Sequence, residues 1–466
     1  TSPPKRASEA PSSGDQESLA YHSAMLTDLA ESTVLGFSQS RYDTTAIAEA
    51  LRATLGPGPI VPAGSRVLLK PNWVHHMNQG SGGIEALVTQ TALVSAVLEL
   101  LTDDQPESVV VGDAPIQGCD FNRLASALHL DEMERSFRRK FNNFNLVDFR
   151  RTARSGESMG ASIATELRPE CDYVLFDLGM DSLLDPITLG ADFRVTMYDP
   201  RALSRTHRPG RHQYLVARDV IESDLIIDLP KLKTHRKSGI TGSLKNMVGV
   251  NGNKDYLAHH RKGGRGRGDN YQGVRPLKRA AEELLDAANR ADGGLVRGVL
   301  GVLANDLVRA DRLFGGDGNI DGSWYGNDTV WRMALDLVRI VIYGRADGSM
   351  ANQPQRLVVT IADGIVAGDG EGPLAPSAVP LGLVTIGSNP AAVEWVHALL
   401  MGFDPRSIPI TREAFGAFRW PVADFKPQSI NVEIDGKPVA LDDVWTLGRP
   451  FTPPENWVGH LERTRC

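Results

Sequence analysis

The densest run of chemically useful side chains lies between Pro230 and Gly252, in PKLKTHRKSGITGSLKNMVGVNG. It follows Leu225-Ile-Ile-Asp-Leu, an apolar stretch of strand length. In an extended chain alternate side chains share a face, so Lys231, Lys233 and His235 are expected on one side, with Leu232 and Thr234 on the other. Thr241-Gly-Ser-Leu-Lys245-Asn246 reads as a glycine-containing turn entering a helix, where unpaired backbone N–H groups and the helix dipole favour an anion. Lys245 and Asn246 extend the donor set, and a diphosphate suits the combination. A solvated basic edge is the alternative reading of the same lysines. No Walker A loop and no strand-to-helix G-x-G-x-x-G occurs, which argues against an ATPase or a nicotinamide enzyme.

Carboxylates after apolar runs form a second constellation: Asp113, Asp228, Asp306, Asp328, Asp363, Asp369 and Glu371. Mg²⁺ and Mn²⁺ take carboxylate oxygens, and Mn²⁺ tolerates imidazole. The expected metal ligands are therefore Asp113, Asp363, Asp228 and His76, although a single Asp more often makes a cap or an Asx turn. Histidine is the third group. His75 and His76 follow a strand, His207 and His212 flank Arg-Pro-Gly-Arg, and His259-His260 sit in a Gly/Arg-rich stretch. His212, beside Arg211 and Tyr214, and His235, beside the lysines, are the acid or base candidates, because nearby cations or a metal tune imidazole near neutrality. Tyr214 and Asp363 complete the expected catalytic set, and Arg211 joins the substrate-binding set. Trp324 and Tyr325 are expected to stack on a guanine or a sugar, with core packing the equal alternative. Arg332, Asp336 and Arg339 share one helix face, which a salt-bridged surface would also explain.

These residues need a scaffold. Helical spacing runs from Thr44 to Leu55, Arg66–Lys70 reads as a buried strand, Thr89–Leu101 as a helix, and Ser108–Asp113 as another buried strand. Strand, helix, strand at this spacing implies a parallel sheet, with ligands at the carboxyl ends of its strands, here the loops Lys70–Asn78 and Asp113–Asp120. Further strands are expected at Tyr173–Leu178, Asp224–Leu229, Val296–Leu303, Arg356–Ile361 and Leu381–Ile386, and further helices at Pro276–Ala288, Thr329–Tyr343 and Ala391–Met401. Asn251–Tyr271 is expected to be a long mobile loop, and Asn431–Val444 a hairpin turning at Asp435-Gly436. The fold class is α/β, a mostly parallel sheet with flanking helices, long active-site loops and a small C-terminal β appendage. Its division is a disordered tail over 1–18, a catalytic domain over 19–420 and the appendage over 421–466.

A chain of 466 residues, 41% apolar, can bury an enzyme-sized core. The net charge of -7 provides no overall basic field for nucleic acid or anionic lipid, so any anion site is local. Cys119, Cys171 and Cys466 are too scattered for a cysteine zinc site or an iron-sulfur cluster, and point to a reducing compartment. No run of about 18 apolar residues occurs, so a cytoplasmic chain without a membrane partner is expected.

Leu69-Lys-Pro-Asn72, Val111-Gly-Asp113, Leu229-Pro-Lys-Leu-Lys-Thr-His235, Leu244-Lys-Asn246 and Ala362-Asp-Gly-Ile365 together resemble domain-of-unknown-function family three-six-two (DUF362), over about residues 60–405. The chain lacks the ferredoxin-like cysteine clusters of many members, so their redox association is not carried over. Asn-Trp-Val-His-His (72–76), Arg-His-Gln-Tyr (211–214), Trp-Tyr-Gly-Asn-Asp (324–328) and Asp-Gly-Ile-Val-Ala-Gly-Asp-Gly-Glu-Gly-Pro (363–373) resemble a subgroup from polysaccharide and nucleoside-antibiotic gene clusters. The resemblance implies a metal-dependent, flavin-free mutase that interconverts pyranose and furanose forms of a GDP-hexose of the GDP-L-galactose kind. It adds Lys70 and Asn72 to the substrate-binding set. The expected cofactor is Mn²⁺ or Mg²⁺, without flavin, NAD or an iron-sulfur cluster, and the expected partner is a small nucleotide-sugar substrate, with homo-oligomerisation left open. Two other readings stand beside it: a metal-dependent hydrolase or transferase on a phosphorylated substrate, and a nucleotide- or polyanion-binding protein without turnover.

Overall fold

Five apolar segments pair side by side in parallel and form the middle of a mixed sheet. In order they are Phe144–Asp148, Ser108–Asp113, Arg66–Pro71, Leu225–Leu229 and the first part of Leu357–Glu371. Leu383–Gly387 and Thr33–Ser38 follow as antiparallel neighbours, and the hairpin Asn431–Ile434/Lys437–Val439 closes that edge. These relations come from a computed structural model that describes residues 24–154, 164–195, 198–291 and 293–463. The tail expected over 1–18, and Cys466, lie outside the described residues.

Period-two alternation makes each strand bury both faces. Leu68, Ile226 and Val358 enter one apolar cluster, with the helices Val330–Tyr343 and Pro390–Leu400. Val67, Leu69, Leu225, Ile227, Val359 and Ile361 enter the other, with Thr44–Leu55, Thr91–Leu101 and Leu130–Phe137. The architecture is therefore α/β, a mainly parallel sheet flanked by helices. The Asp43 carboxylate caps the first helix by accepting from the Ala46 amide, and Gly56 (φ 94) ends it.

Two expectations need correction. Val296–Leu303 is not a strand but part of the helix Gly294–Leu313, antiparallel neighbour of Pro276–Arg290 in a hairpin. Val296, Val299, Val302 and Leu303 are about half exposed, so the run marks no buried strand. The strand expected at Tyr173–Leu178 forms over Tyr173–Asp177 and pairs with Arg211–Ala217 in a separate antiparallel sheet. Asn251–Tyr271 is folded onto the body of the protein: Leu257, Ala258, His260, Asp269, Asn270 and Tyr271 are all buried. The hairpin at the C-terminal end turns at Asp435 and Gly436, both with positive φ, as a tight two-residue turn requires.

The Pro230–Gly252 segment explains its own chemistry. Pro230 ends the Leu225–Leu229 strand, and Lys231–His235 resumes as a second strand along the far half of Leu357–Glu371. The register there jumps from Lys231↔Asp363 to Lys233↔Gly368. The extra residues lie in the partner strand, and Lys231 meets Asp363 and Tyr42 while Lys233 reaches the Leu87 carbonyl.

Candidate functional site

A cavity of about 900 Å³ opens at the carboxyl ends of the parallel strands. Its walls include Asn72, His75, Asp113, Gln117, Lys233, His235, Lys237, Lys245, Asn246, Lys254 and His259, with Val74, Met77, Ile116, Leu257 and Leu285 as apolar surface. Both loops expected at that edge contribute. The volume is in the range of about 300–1,000 Å³ that suits small-molecule ligands.

Charge is unevenly satisfied around it. Lys237 is paired with Asp321 at 3.1 Å, and Arg236 with Glu371 at 3.1 Å. Lys233 is fully buried and donates to the Leu87 carbonyl; Lys254 donates to the Ala114 carbonyl at 3.2 Å. Lys245 is 8% exposed, and its ammonium meets no hydrogen-bonding or ionic partner among the described residues. Lys233, Lys245 and Lys254 thus face the cavity without a paired carboxylate among the described residues, as does Arg297, which donates to the Ala288 and Ala291 carbonyls. Burial, reinforced by Lys254, Lys237 and Lys70, pulls the Lys245 pKa down to about 7. Burial brings Lys254 down to about 8 even though Asp113 opposes it, and holds Lys233 well below the ordinary lysine value. Unspent polar atoms sit beside them: Asn72 Oδ1, Thr241 Oγ1 and the Gln117 side-chain amide are buried without partners.

Behind the wall the sequence has built a rigid polar support. Lys70 Nζ bonds Asp113 Oδ1 at 2.7 Å, both groups almost fully buried, and Asp113 also accepts from the Trp73 and Ala114 amides. Gly249 allows the chain to lie against this pair, since a Cβ there would fall 2.0 Å from Asp113 Oδ1. Asn246 links Lys70, Asn72 and Asp228 through hydrogen bonds of 2.7–3.2 Å. The N-terminus of the one-turn helix Ser243–Asn246 meets the buried Glu394, which accepts from the Leu244 amide at 3.4 Å. The expectation that main-chain amides from Gly242 onward cradle an anion is therefore corrected: the buried Glu394 carboxyl group already occupies that end. Burial raises Glu394 to about 8 and Asp228 to about 7.

Of the expected substrate and catalytic residues, Asn72, Lys233, His235, Lys245 and Asn246 reach the cavity, and Lys70 acts through Asp113. The others lie elsewhere. Lys231 is fully buried against Asp363 at 2.9 Å, and Tyr42 donates to Asp363 at 2.8 Å, off the cavity wall. Arg211 is on the surface with Asp177. Tyr214 donates to Asp336 at 2.9 Å in the core, and Asp336 also pairs with Arg339 at 2.8 Å. His212 lies fully buried between His207 Nδ1 at 3.3 Å and Asp185 at 3.3 Å. Trp324 is core, donating to the Asp269 carbonyl, and Tyr325 stacks on His460.

The expected divalent cation fares no better on its donor set. Asp113 is held by Lys70, Asp363 by Lys231, and Asp228 accepts from Ser243 at 2.8 Å and Asn246 at 2.7 Å. His76 takes the Asp120 amide on Nδ1 and is not on the cavity wall. These four do not converge, and among the described residues no group of three or more His, Cys, Asp or Glu side chains is arranged to hold a metal ion. The residues do not fit the ion, and no chemical step below is routed through one.

Lys237, Lys254, Gln117 and His259 are cavity residues that had not been assigned a role. Lys237 lay inside the lysine-rich segment, and His259 in a His-His pair, so both had a local signal. Gln117 lies in the Asp113–Asp120 loop expected at the ligand edge, whereas Lys254 had no local signal, because only the fold brings its segment to the cavity.

No curated protein matches the chain. A crystal structure of a Thermotoga maritima protein from a structural genomics consortium aligns at 10% identity and a TM-score of 0.28, over 73% of this chain and 55% of that one. The chain thus spans little more than half of that protein, and the likeness carries no argument about fold or function. Residues 172–398, just under half of the chain, match the family model "Domain of unknown function (DUF362)", and this stretch supplies Lys233, His235, Lys245, Lys254 and His259 to the cavity.

Proposed function

We propose that the cavity binds the diphosphate of a nucleotide sugar, and that the chain is a redox-neutral mutase interconverting the pyranose and furanose forms of a GDP-hexose such as GDP-L-galactose. The observation that carries this reading is Lys245, a buried ammonium without a partner among the described residues, with Lys233 and Lys254 near it on the cavity wall and bonded only to main-chain carbonyls. Buried cations without counter-charge are costly, so their presence around a ligand-sized void supports a ligand that brings the negative charge. The apolar part of the wall, from Val74 to Leu285, suits the less polar faces of a base or sugar. The resemblance of the 363–373 and 72–76 motifs to flavin-free GDP-sugar mutases supplies the reaction class.

The test is incubation of the protein with GDP-L-galactose, with and without EDTA, followed by ¹H and ³¹P NMR. A new furanosyl anomeric signal with the diphosphate still attached is the expected result. Release of GDP or of a sugar phosphate would instead identify a hydrolase or transferase. Tight binding without turnover under any divalent metal would leave a nucleotide-binding protein.

A further inference from the structure

Three histidines, His75, His235 and His259, line the cavity, and the rings of His235 and His259 are fixed in opposite senses. His235 Nδ1 accepts from the backbone amides of Lys237 at 3.0 Å and Ser238 at 3.3 Å. A neutral imidazole that accepts on Nδ1 carries its proton on Nε2. His259 Nδ1 lies 2.8 Å from the Leu257 carbonyl, which can only accept, so the proton is on Nδ1 and Nε2 holds a lone pair. These tautomers follow from the hydrogen-bond network. Neither Nε2 has a protein partner among the described residues, and both rings are on the cavity wall. The neighbouring His260 is buried off that wall.

We propose that His259 Nε2 is the proton acceptor of this cavity, and that His235 is a fixed, uncharged hydrogen-bond donor beside it. The assignment rests on the cavity being the site of the rearrangement proposed above. His235 cannot serve as a full acid while neutral, since loss of its Nε2 proton would leave an imidazolate. It holds a substrate oxygen in place. His259 can gain a proton and keep its bond to Leu257. In ring contraction a sugar hydroxyl oxygen bonds to the anomeric carbon as the bond from that carbon to the ring oxygen breaks. His259 takes the hydroxyl proton and returns it to the former ring oxygen, which becomes the new hydroxyl. One proton moves, no electrons are gained or lost, and His259 ends as it began. Burial, together with Lys245 and Lys237, lowers the pKa of both rings well below the usual histidine value, which keeps them neutral in the resting cavity.

The tautomers are read directly from ring ¹H–¹⁵N NMR of wild-type protein carrying ¹⁵N-histidine, with peaks assigned through H235Q and H259Q. The expected spectrum shows Nε2 protonated in His235 and Nδ1 protonated in His259 at pH 7. Kinetically, H259Q lowers kcat on GDP-L-galactose by about 10²–10⁴-fold while calorimetric affinity for GDP is retained. H235Q, which keeps an N–H donor, retains more of the rate than H235A. A His259 ring protonated on Nε2, or an H259Q variant turning over at the wild-type rate, overturns the assignment. If wild-type protein binds GDP but converts no GDP-hexose, the mutase reading fails by itself, and the tautomer spectrum still decides which ring is built to accept a proton.

Discussion

Replacing Lys245 with Met removes one ammonium group from the cavity wall and keeps most of the apolar stem. In the wild-type protein the group has a pKa of about 7, so about half of the molecules carry its charge at pH 7. A phosphate oxygen in contact favours the charged form, and a hydrogen bond to a charged group is worth about 1.5–3 kcal/mol. That corresponds to a rise of about one to two pKa units, and to about 10- to 100-fold in affinity. The sign follows. Because the pKa is higher in the complex than in the free protein, binding takes up a proton between the two values. Affinity is highest below the free value near 7 and falls, by about tenfold per pH unit at most, as pH rises toward the value in the complex. Lys254, at about 8, adds to the trend in the upper part of that window. Calorimetric titration with GDP at pH 7, 8 and 9, in buffers of different ionisation enthalpy, reads both affinity and proton uptake. K245M should bind about 10- to 100-fold more weakly at pH 7, with a flatter pH profile. Wild-type affinity unchanged from pH 7 to 9 without proton uptake, or K245M binding as tightly as wild type, would refute the reasoning.

Three other outcomes follow from the same geometry. Gly242→Ala places a Cβ 2.1 Å from Glu394 Oε2 and should destabilise the protein by about 1–3 kcal/mol, read as a lower urea midpoint. Asp363→Asn strands the buried Lys231 and should cost about 3–5 kcal/mol; the double variant with Lys231→Met should recover most of it and bind GDP like wild type, because neither residue lines the cavity. Glu394, raised to about 8 by burial, binds a proton in the folded state that the unfolded chain releases near 4.5. Its contribution to stability is complete below 4.5 and lost as pH rises through 8, so Glu394→Gln should flatten the decline in Tm across that interval.

Much of the frame could be read from the chain because it depends on local pattern. Thr44–Leu55 and Ser108–Asp113 form over the expected residues, and the Asp435-Gly436 turn forms because that dipeptide tolerates positive φ. Val296–Leu303 misled because an eight-residue apolar run suits a strand or a helix equally, and here its side chains are largely exposed. The site was legible only in part. Lys233 and Lys245 stand in one cation-rich segment, but the register jump beside Lys231 depends on the partner strand, which no local periodicity records. The loss of the Ser243–Asn246 amides to Glu394 depends on a helix some 150 residues later. His212 and Tyr214 looked like acid and base groups by their neighbours in sequence, yet their strand belongs to a second sheet whose interior they fill. His259 had no local distinction from His260; the carbonyl of Leu257 and the path of the chain separate them.

Whether Lys233, Lys245 and Lys254 together grip a diphosphate is decided by a crystal structure of the protein grown with GDP. The account predicts diphosphate oxygens within hydrogen-bond distance of Lys245 Nζ and of at least one of the other two ammonium groups. A GDP molecule whose phosphates lie away from all three, with Lys245 still unpartnered, would contradict it.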